Sequence, residues 1–331
     1  MPIDVYENPF CILGASAQDG AQRLIELADD AALLGDKRAE KALSALMHSR
    51  SRLEAEMDWF PGAGEADIEA VLDYLKASET AAFPPVGHLS ALARLNACSL
   101  LLESWPVTDE KSALAVCLST ARAACGLSAA GLMEQINADR AKAGMQRIVQ
   151  QDVLDRIGQV CRQTAKRLYE RMSFLPEAER RKVLEGAAKG YADLRSPILA
   201  ALIGIHEVEI YDEKKRLEDE MYRNCETICT STKYAERTKA AKAVVASLAR
   251  WGDVTRPVRR LQAAKGYPAP DSKRLYTAVL NASCEINNKH KQHKECLDLT
   301  NRMIDVFFDL PGEQELLHKN REIVSRVLNQ T

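Results

Sequence analysis

The chain has 331 residues, with 45 Lys and Arg against 47 Asp and Glu and a formal net charge of −2. That balance argues against a protein that binds polyanions over its whole surface. Apolar residues make up 46 % and aromatic residues only 5 %, and an apolar fraction dominated by Ala and Leu favours helices over strands. The composition therefore disfavours a sheet protein, a membrane protein and a disordered chain.

The cysteines and the N-terminal residues indicate a reducing compartment. Nine cysteines are an odd number in a long chain, and most occupy apolar positions of helical patterns, which is typical of reduced, buried thiols. Residues 1–8 are acidic and lack the basic start and apolar core of a signal peptide. The longest apolar run, 197–205, is about half the length that a membrane-spanning helix needs. We expect a cytoplasmic protein without membrane contact.

Helix start and stop residues divide the first 60 positions into three predicted helices. Asn8 is a suitable N-cap for a short first helix, which Gly14 ends. Ser16 can cap a second helix. Asp36 can cap a third helix, whose inner apolar face extends to Met57. The sequence therefore predicts a three-helix head over residues 1–60.

Helical patterns continue through the rest of the chain, after a turn cluster at 60–64 that marks the first predicted boundary. We predict a helical middle domain over 65–195 and a C-terminal domain over 196–331, in which 198–228 has no strong internal breaker and is predicted as one helix. The helices predicted after it span 233–250, 255–265, 272–288, 290–308 and 313–328. Such segments, joined by short turns, predict antiparallel helix pairs, the last with tetratricopeptide-like spacing. The predicted fold is all-α.

Residues 8–59 resemble a J-domain. The run NPFCILGAS at 8–16 is similar to the family's short first helix, which contains an aromatic residue and leads into a Leu-Gly-x-Ser-like turn. The matching residues are Phe10, Leu13, Gly14 and Ser16. Arg52 and Trp59 also fall near the family's terminal basic and aromatic positions. The resemblance implies a three-helix fold and a protein-binding role, with a heat-shock-type chaperone or an assembly subunit as partner.

The sequence departs from the J-domain pattern at the positions that stimulate a chaperone's ATPase. The family carries His-Pro-Asp between its second and third helices, whereas residues 34–36 here are Leu-Gly-Asp. The family's second helix is basic, whereas this one sets Arg23 against Glu26, Asp29 and Asp30. The sequence therefore supports the fold and a binding role rather than ATPase stimulation.

The C-terminal part is also similar to the helical module of bacterial proteins that carry such degenerate heads. The similar segments are 251–257 (WGDVTRP), Ser272, 287–290 (NNKH) and 303–311. This second resemblance implies an architecture rather than a mechanism.

No motif predicts an enzyme or a cofactor. The chain has no Gly-x4-Gly-Lys-Ser/Thr run and no Gly-x-Ser-x-Gly turn. His206 and Glu207 begin like a zinc-protease helix, but the second histidine is missing because position 210 is isoleucine. One set of residues has zinc-ligand types in the spacing C-x5-H-x2-H-x2-C: Cys284, His290, His293 and Cys296. The sequence favours a solvated, basic turn for that segment, with zinc binding as the alternative.

The sequence thus predicts a non-enzymatic adaptor or scaffold, with nucleic-acid binding and zinc binding as alternatives. The partner-binding residues predicted in the head are Phe10, Leu13, Leu34, Gly35, Asp36 and Arg38. The residues predicted to form a basic, phosphate-contacting face are Arg256, Arg259, Arg260, Lys289, Lys291 and Lys294. An exposed helix that pairs with acidic neighbours would have the same spacing of basic residues.

Overall fold

The computed structural model describes residues 5–76, 87–102, 107–267 and 270–330. All regular structure in these ranges is helical, so the predicted all-α fold is confirmed. None of the described helices is long and apolar enough to cross a membrane. The chain forms two compact units, residues 1–180 with 194–202 and residues 181–193 with 203–331. The predicted three-domain division stays a prediction.

The first unit begins with a 3-10 turn at Val5–Glu7 and continues with helices only. Its helices are α1 (Pro9–Leu13), α2 (Ala21–Leu33), α3 (Ala39–Met47), α4 (Ser49–Met57), α5 (Glu65–Lys76), α6 (Ala91–Leu101), α7 (Glu110–Ala123), α8 (Ala129–Lys142) and α9 (Gln150–Arg171). Two further helices, α10 (Glu177–Leu194) and α11 (Pro197–Glu209), contribute residues to both units.

Local capping residues position the start of the head as predicted. The Asn8 side chain accepts the backbone N–H of Phe10 at 3.0 Å and donates to the carbonyl of Ala55 at 3.1 Å, so it ties α1 to α4. The second helix, however, begins after Gly20 rather than after Ser16. The Ser16 N–H donates instead to the Asp19 carboxylate at 2.7 Å in a separate turn.

The predicted third helix is in fact two helices. Its helical backbone stops at His48, whose ψ of 123° is extended, and α4 starts at the next residue. A distant contact lies next to the break: the Arg140 guanidinium donates to the Ser49 carbonyl at 3.0 Å. The change of direction turns the buried side chains of α4, among them Arg52 and Glu56, towards Arg140.

The second unit is built from α12 (Tyr211–Thr230), α13 (Tyr234–Ala264), α14 (Pro270–Asn288), α15 (His293–Val306) and α16 (Pro311–Leu328). Helix α12 packs on α13, α14 on α15, and α15 on α16. In addition, α12 contacts α14 and α13 contacts α15. Successive helical hairpins therefore lie side by side, which buries one continuous core.

Two helix boundaries in this part of the chain were predicted wrongly. The stretch 198–228 is interrupted at Ile210, which separates α11 from α12, although i to i−4 hydrogen bonds continue on both sides. Conversely, 233–250 and 255–265 form the single helix α13 with Pro257 inside it. Gly252 lies inside α13 without ending the helix. Its lack of a side chain allows close packing, since a Cβ would lie 2.8 Å from a methyl of Val306.

All nine cysteines are free thiols. The buried ones are Cys98, Cys117, Cys161, Cys225 and Cys296. Burial raises the pKa of Cys117 to about 12, so its thiol stays protonated and unreactive at neutral pH.

Candidate functional site

The turn between α2 and α3 presents two large apolar side chains to solvent. Leu33 is 86 % exposed and Leu34 is 90 % exposed. Gly35 then reverses the chain with a φ of +88°, a conformation that favours glycine over any residue with a side chain. Asp36 and Arg38 lead into α3. We call residues 33–38 the head tip. Adjacent exposed leucines at a chain reversal are a candidate contact surface.

An ion-pair network orders the head tip. The Arg38 guanidinium donates to both carboxylate oxygens of Asp36, at 3.0 and 2.8 Å, and to Glu7 at 2.8 Å. It also donates to the Tyr6 carbonyl at 3.2 Å, which ties the tip to the N-terminal turn. The Asp36 carboxylate in addition accepts the backbone N–H of Arg38 at 2.9 Å. The exposed leucines are therefore presented on a fixed turn.

The titration of Asp36 should report this network. Hydrogen bonds from the Arg38 side chain and backbone lower the pKa of Asp36 from its usual 3.8 to about 2. Because this pKa is lower in the folded state, the network contributes to stability above the usual pKa, and the contribution is lost as the pH falls towards 2. Replacing Arg38 with Ala should raise the Asp36 pKa towards 3.8 in an NMR titration of the carboxyl groups.

Asp109 provides an internal control for that titration. A hydrogen bond from the Ser112 backbone lowers its pKa too, and the groups that lower it do not include Arg38. Its pKa should be the same in the wild-type protein and the Arg38→Ala variant. An Asp36 pKa that stays near 2 in the variant would show that the guanidinium does not hold the turn.

The structure brings four of the six predicted head residues together and separates the other two. Leu34, Gly35 and Arg38 are exposed at the tip, with Asp36 half-buried beside them. Phe10 has no exposed surface, and Leu13 is buried with it in the core of the head. Both residues support the head from within, and Phe10 also lies at the base of the groove described next.

A groove that sequence reasoning missed lies in the same unit, between α1, α2, the turn at 59–64 and α5. Its volume is about 570 Å³. Its half-buried apolar walls are Cys11, Ala17, Leu27, Ala63, Ile68 and Leu72. Its acidic rim is Asp19, Glu69 and Asp139. We call this feature the head groove. The stripes containing Leu27 and Ile68 are visible in the sequence, but their meeting depends on tertiary packing.

Helix α4 of the head and helix α8 share a buried charge cluster, which is formed by Arg52, Glu56 and Arg140. These side chains are 1 %, 3 % and 0 % exposed, respectively. The Glu56 carboxylate accepts from Arg52 at 2.9 Å and from Arg140 at 2.9 and 3.2 Å. Burial raises the pKa of Glu56, and the two guanidiniums act against that shift. The cluster fixes α4 against the helices that follow the head.

Arg259, the central residue of the basic face predicted in the second unit, is buried. The Arg259 side chain is 3 % exposed and pairs with Asp309 at 2.6 Å. Its guanidinium also donates to the Val306 carbonyl at 2.8 Å and lies 4.6 Å from the Trp251 ring. Burial lowers the pKa of Arg259 to about 10, so it remains charged at neutral pH. Arg259 is a buried structural residue and does not face an outside phosphate.

The remaining basic residues do not form one surface. Arg260 lies 2.8 Å from Glu185, and Arg256 lies 6.0 Å from the Phe308 ring. The predicted turn 289–294 packs near the other end of α13, where Arg237 donates to Gln292 at 2.6 Å. Along a helix this separates the two basic groups by about 30 Å. Within the turn, Lys291 and Lys294 are exposed, while Lys289 pairs with Glu285 at 2.9 Å.

The zinc-ligand spacing does not assemble into a site. Cys296 is buried beside the Ser283 hydroxyl at 3.3 Å, whereas Cys284 is exposed. The Nδ1 of His293 lies 2.8 Å from the Asn287 side-chain oxygen, and His290 is not grouped with them. In the part of the chain that the structure describes, no three His, Cys, Asp or Glu side chains converge as a metal ion would require.

Comparison with known proteins does not assign the chain to a family. No protein-family model matches it, and neither curated proteins nor solved structures give a significant match. The J-like head and the tetratricopeptide-like body therefore stay predictions from the sequence. The geometry of the head tip and the head groove provides the strongest basis for a function.

Proposed function

We propose that this chain is a non-enzymatic adaptor whose head tip docks a protein partner. The observation that carries the proposal is the pair Leu33 and Leu34, which are 86 % and 90 % exposed at one turn. The Asp36–Arg38 network orders that turn before binding, so docking loses less conformational entropy than ordering a flexible loop would. Burial of two leucines contributes about 3–6 kcal/mol to association before such losses.

The charges around the tip specify the chemistry of the partner. Helix α2 carries Glu26, Asp29 and Asp30 on its exposed surface, and Glu26 already pairs with Arg23 at 3.3 Å. The partner is therefore a protein with an apolar pocket and with Lys or Arg on the side that faces α2. The J-domain resemblance supports a chaperone-type ATPase or a subunit of an assembly as its class. The acidic α2 inverts the charge that a J-domain uses on a chaperone, which favours the assembly subunit.

The second unit fits a scaffold role in this proposal. Side-by-side hairpins from α12 to α16 support a tetratricopeptide-like body, as the helix spacing predicts. Stacked hairpins form extended surfaces on which further segments can dock. The head would then recruit a partner, and the body would present it to another component.

Replacing both Leu33 and Leu34 with Asp should abolish partner recovery without unfolding the protein. Exposed side chains contribute little to folding, so the unfolding free energy should change by less than about 0.5 kcal/mol per substitution. Affinity purification from the native host, quantified by mass spectrometry, should show at least a tenfold loss of the partner. A thermal melt of each variant verifies the fold.

The matched control replaces two exposed apolar residues elsewhere with Asp. Val208 is 78 % exposed and Ile323 is 57 % exposed, both in the second unit. This variant carries the same charge change and should retain the partner. Equal recovery of the partner with the tip variant and the control would refute docking at the head tip.

A further inference from the structure

We infer that the head groove binds a basic amphipathic helix of a protein partner. This inference rests on the proposed protein-binding function and adds the chemistry of the segment that is bound. The carrying observation is a groove of about 570 Å³ with half-buried aliphatic walls and a rim of carboxylates.

The dimensions and walls of the groove suit the apolar stripe of a helix. A volume of about 570 Å³ accepts a few aliphatic side chains, such as those at positions i, i+3 or i+4 and i+7 of a helix. Leu27 and Ile68 line the groove from α2 and α5, and both are half-buried against the core of the head. The apolar surface is thus already ordered, and a ligand helix would complete its burial.

The groove is aligned with the head tip along α2. Leu34, the residue directly after α2, follows Leu27 by seven residues, so it lies about two helical turns beyond Leu27 on the same side. The half-buried Ala31 lies between them. A helix seated in the groove would therefore extend about 10 Å along α2 towards the exposed leucines. One partner segment can contact both features.

The rim determines the charge of the ligand. Asp19, Glu69 and Asp139 line the groove, and the lining cation is Arg23, which pairs with Glu26 at 3.3 Å. Two of the carboxylates are fixed, since Asp19 accepts the Ser16 N–H at 2.7 Å and Asp139 accepts from Gln18 at 3.0 Å. Lys and Arg beside the apolar anchors would pair with this rim, whereas a nucleic acid or an acidic segment would be repelled.

The helical secondary structure also favours a helical ligand. The head is helical throughout its described residues, so it offers no sheet edge to which an extended peptide could add a strand. Of the common peptide-recognition modes, an amphipathic helix matches a lining that combines aliphatic side chains with acidic ones.

A peptide-display library tests the inference directly. The full chain is immobilised, and random 16-residue peptides are selected and sequenced. The expected result is enrichment of Leu, Ile, Met or Phe at helical spacing, flanked by Lys or Arg. A labelled representative should then bind the Glu69→Lys and Leu27→Lys variants at least tenfold more weakly than the wild type in fluorescence anisotropy. The loss for Glu69→Lys should shrink as salt is added.

Control variants separate this inference from the proposed tip function. Glu40→Lys makes the same charge change at an exposed position of α3 outside the groove lining and should bind the peptide normally. The Leu33→Asp, Leu34→Asp variant should retain at least part of the peptide affinity while it loses the natural partner. No enrichment, enrichment of acidic or patternless peptides, or equal affinity for Glu69→Lys and Glu40→Lys would overturn the inference. So would occupation of the groove by a second copy, seen as a dimer that Glu69→Lys dissociates.

Discussion

Replacing Glu56 with Gln should destabilise the first unit by about 3–5 kcal/mol, because it removes the shared counter-charge of two buried guanidiniums. Arg52 and Arg140 each donate to the Glu56 carboxylate at 2.9 Å, and all three side chains are almost inaccessible to water. The glutamine side chain has nearly the same size as the glutamate side chain, so the substitution tests the loss of the charge without a change in packing.

Hydrogen exchange measured by mass spectrometry resolves this effect better than a global melt, since the chain has two compact units. Amides in α4 and α8 should lose protection in the Glu56→Gln variant, while those of α14 and α15 in the second unit provide the internal reference. Glu54→Gln is the matched control, because Glu54 is exposed on the same helix. Unchanged protection of α4 and α8 would show that the buried charge cluster does not fix the head.

The buried charge cluster of Arg52, Glu56 and Arg140 could not be predicted from the local sequence. Arg52 and Arg140 have the spacing of ordinary surface basic residues, and nothing local distinguishes them from exposed ones. Their burial depends on a contact between residues 84 positions apart, Glu56 and Arg140. By contrast, the cap at Asn8 was predictable, because a cap is decided within a few residues.

The candidate site was predictable to the same limited extent. Residues 34–38 could be singled out as a turn, because Gly35 is a local stop signal for a helix. The predicted cap at Asp36 is wrong: α3 begins after Arg38, and the Asp36 carboxylate instead accepts the Arg38 N–H within the turn. The high exposure of Leu33 and Leu34 could not, since it reflects what the rest of the unit leaves uncovered. The head groove was missed because it requires α5 to lie near α2, a tertiary arrangement that no short pattern encodes.

Arg259 shows the converse error, in which a local pattern suggested a surface function. Basic residues at positions 256, 259 and 260 have the spacing of a phosphate-contacting helix face. The same spacing arises when one of them turns inward to a buried acid, as Arg259 does towards Asp309. The spacing of the basic residues shows which face of the helix they share, but it does not show whether other parts of the unit bury that face.

Replacing Arg259 with Met should therefore destabilise the second unit by about 3–5 kcal/mol, because Asp309 would remain buried without its cation. The unpaired side chain would be costly, since one of its oxygens already has no hydrogen-bond partner. Amides of α13 and α15 should lose protection in hydrogen exchange. Arg260→Met is the matched control: Arg260 is 32 % exposed against Glu185, so its loss should cost less than about 1 kcal/mol.

The double variant Arg259→Met, Asp309→Leu gives the decisive comparison. If the buried pair is the cause, removing both charges should restore most of the lost stability, because apolar side chains can replace a buried ion pair. Equal destabilisation by the single and double variants would instead assign the effect to lost packing against Trp251. The result also determines how nucleic-acid binding can be tested. Charge reversal at Arg259 would unfold the unit, so only reversals at Arg256 and Arg260 would report a phosphate contact.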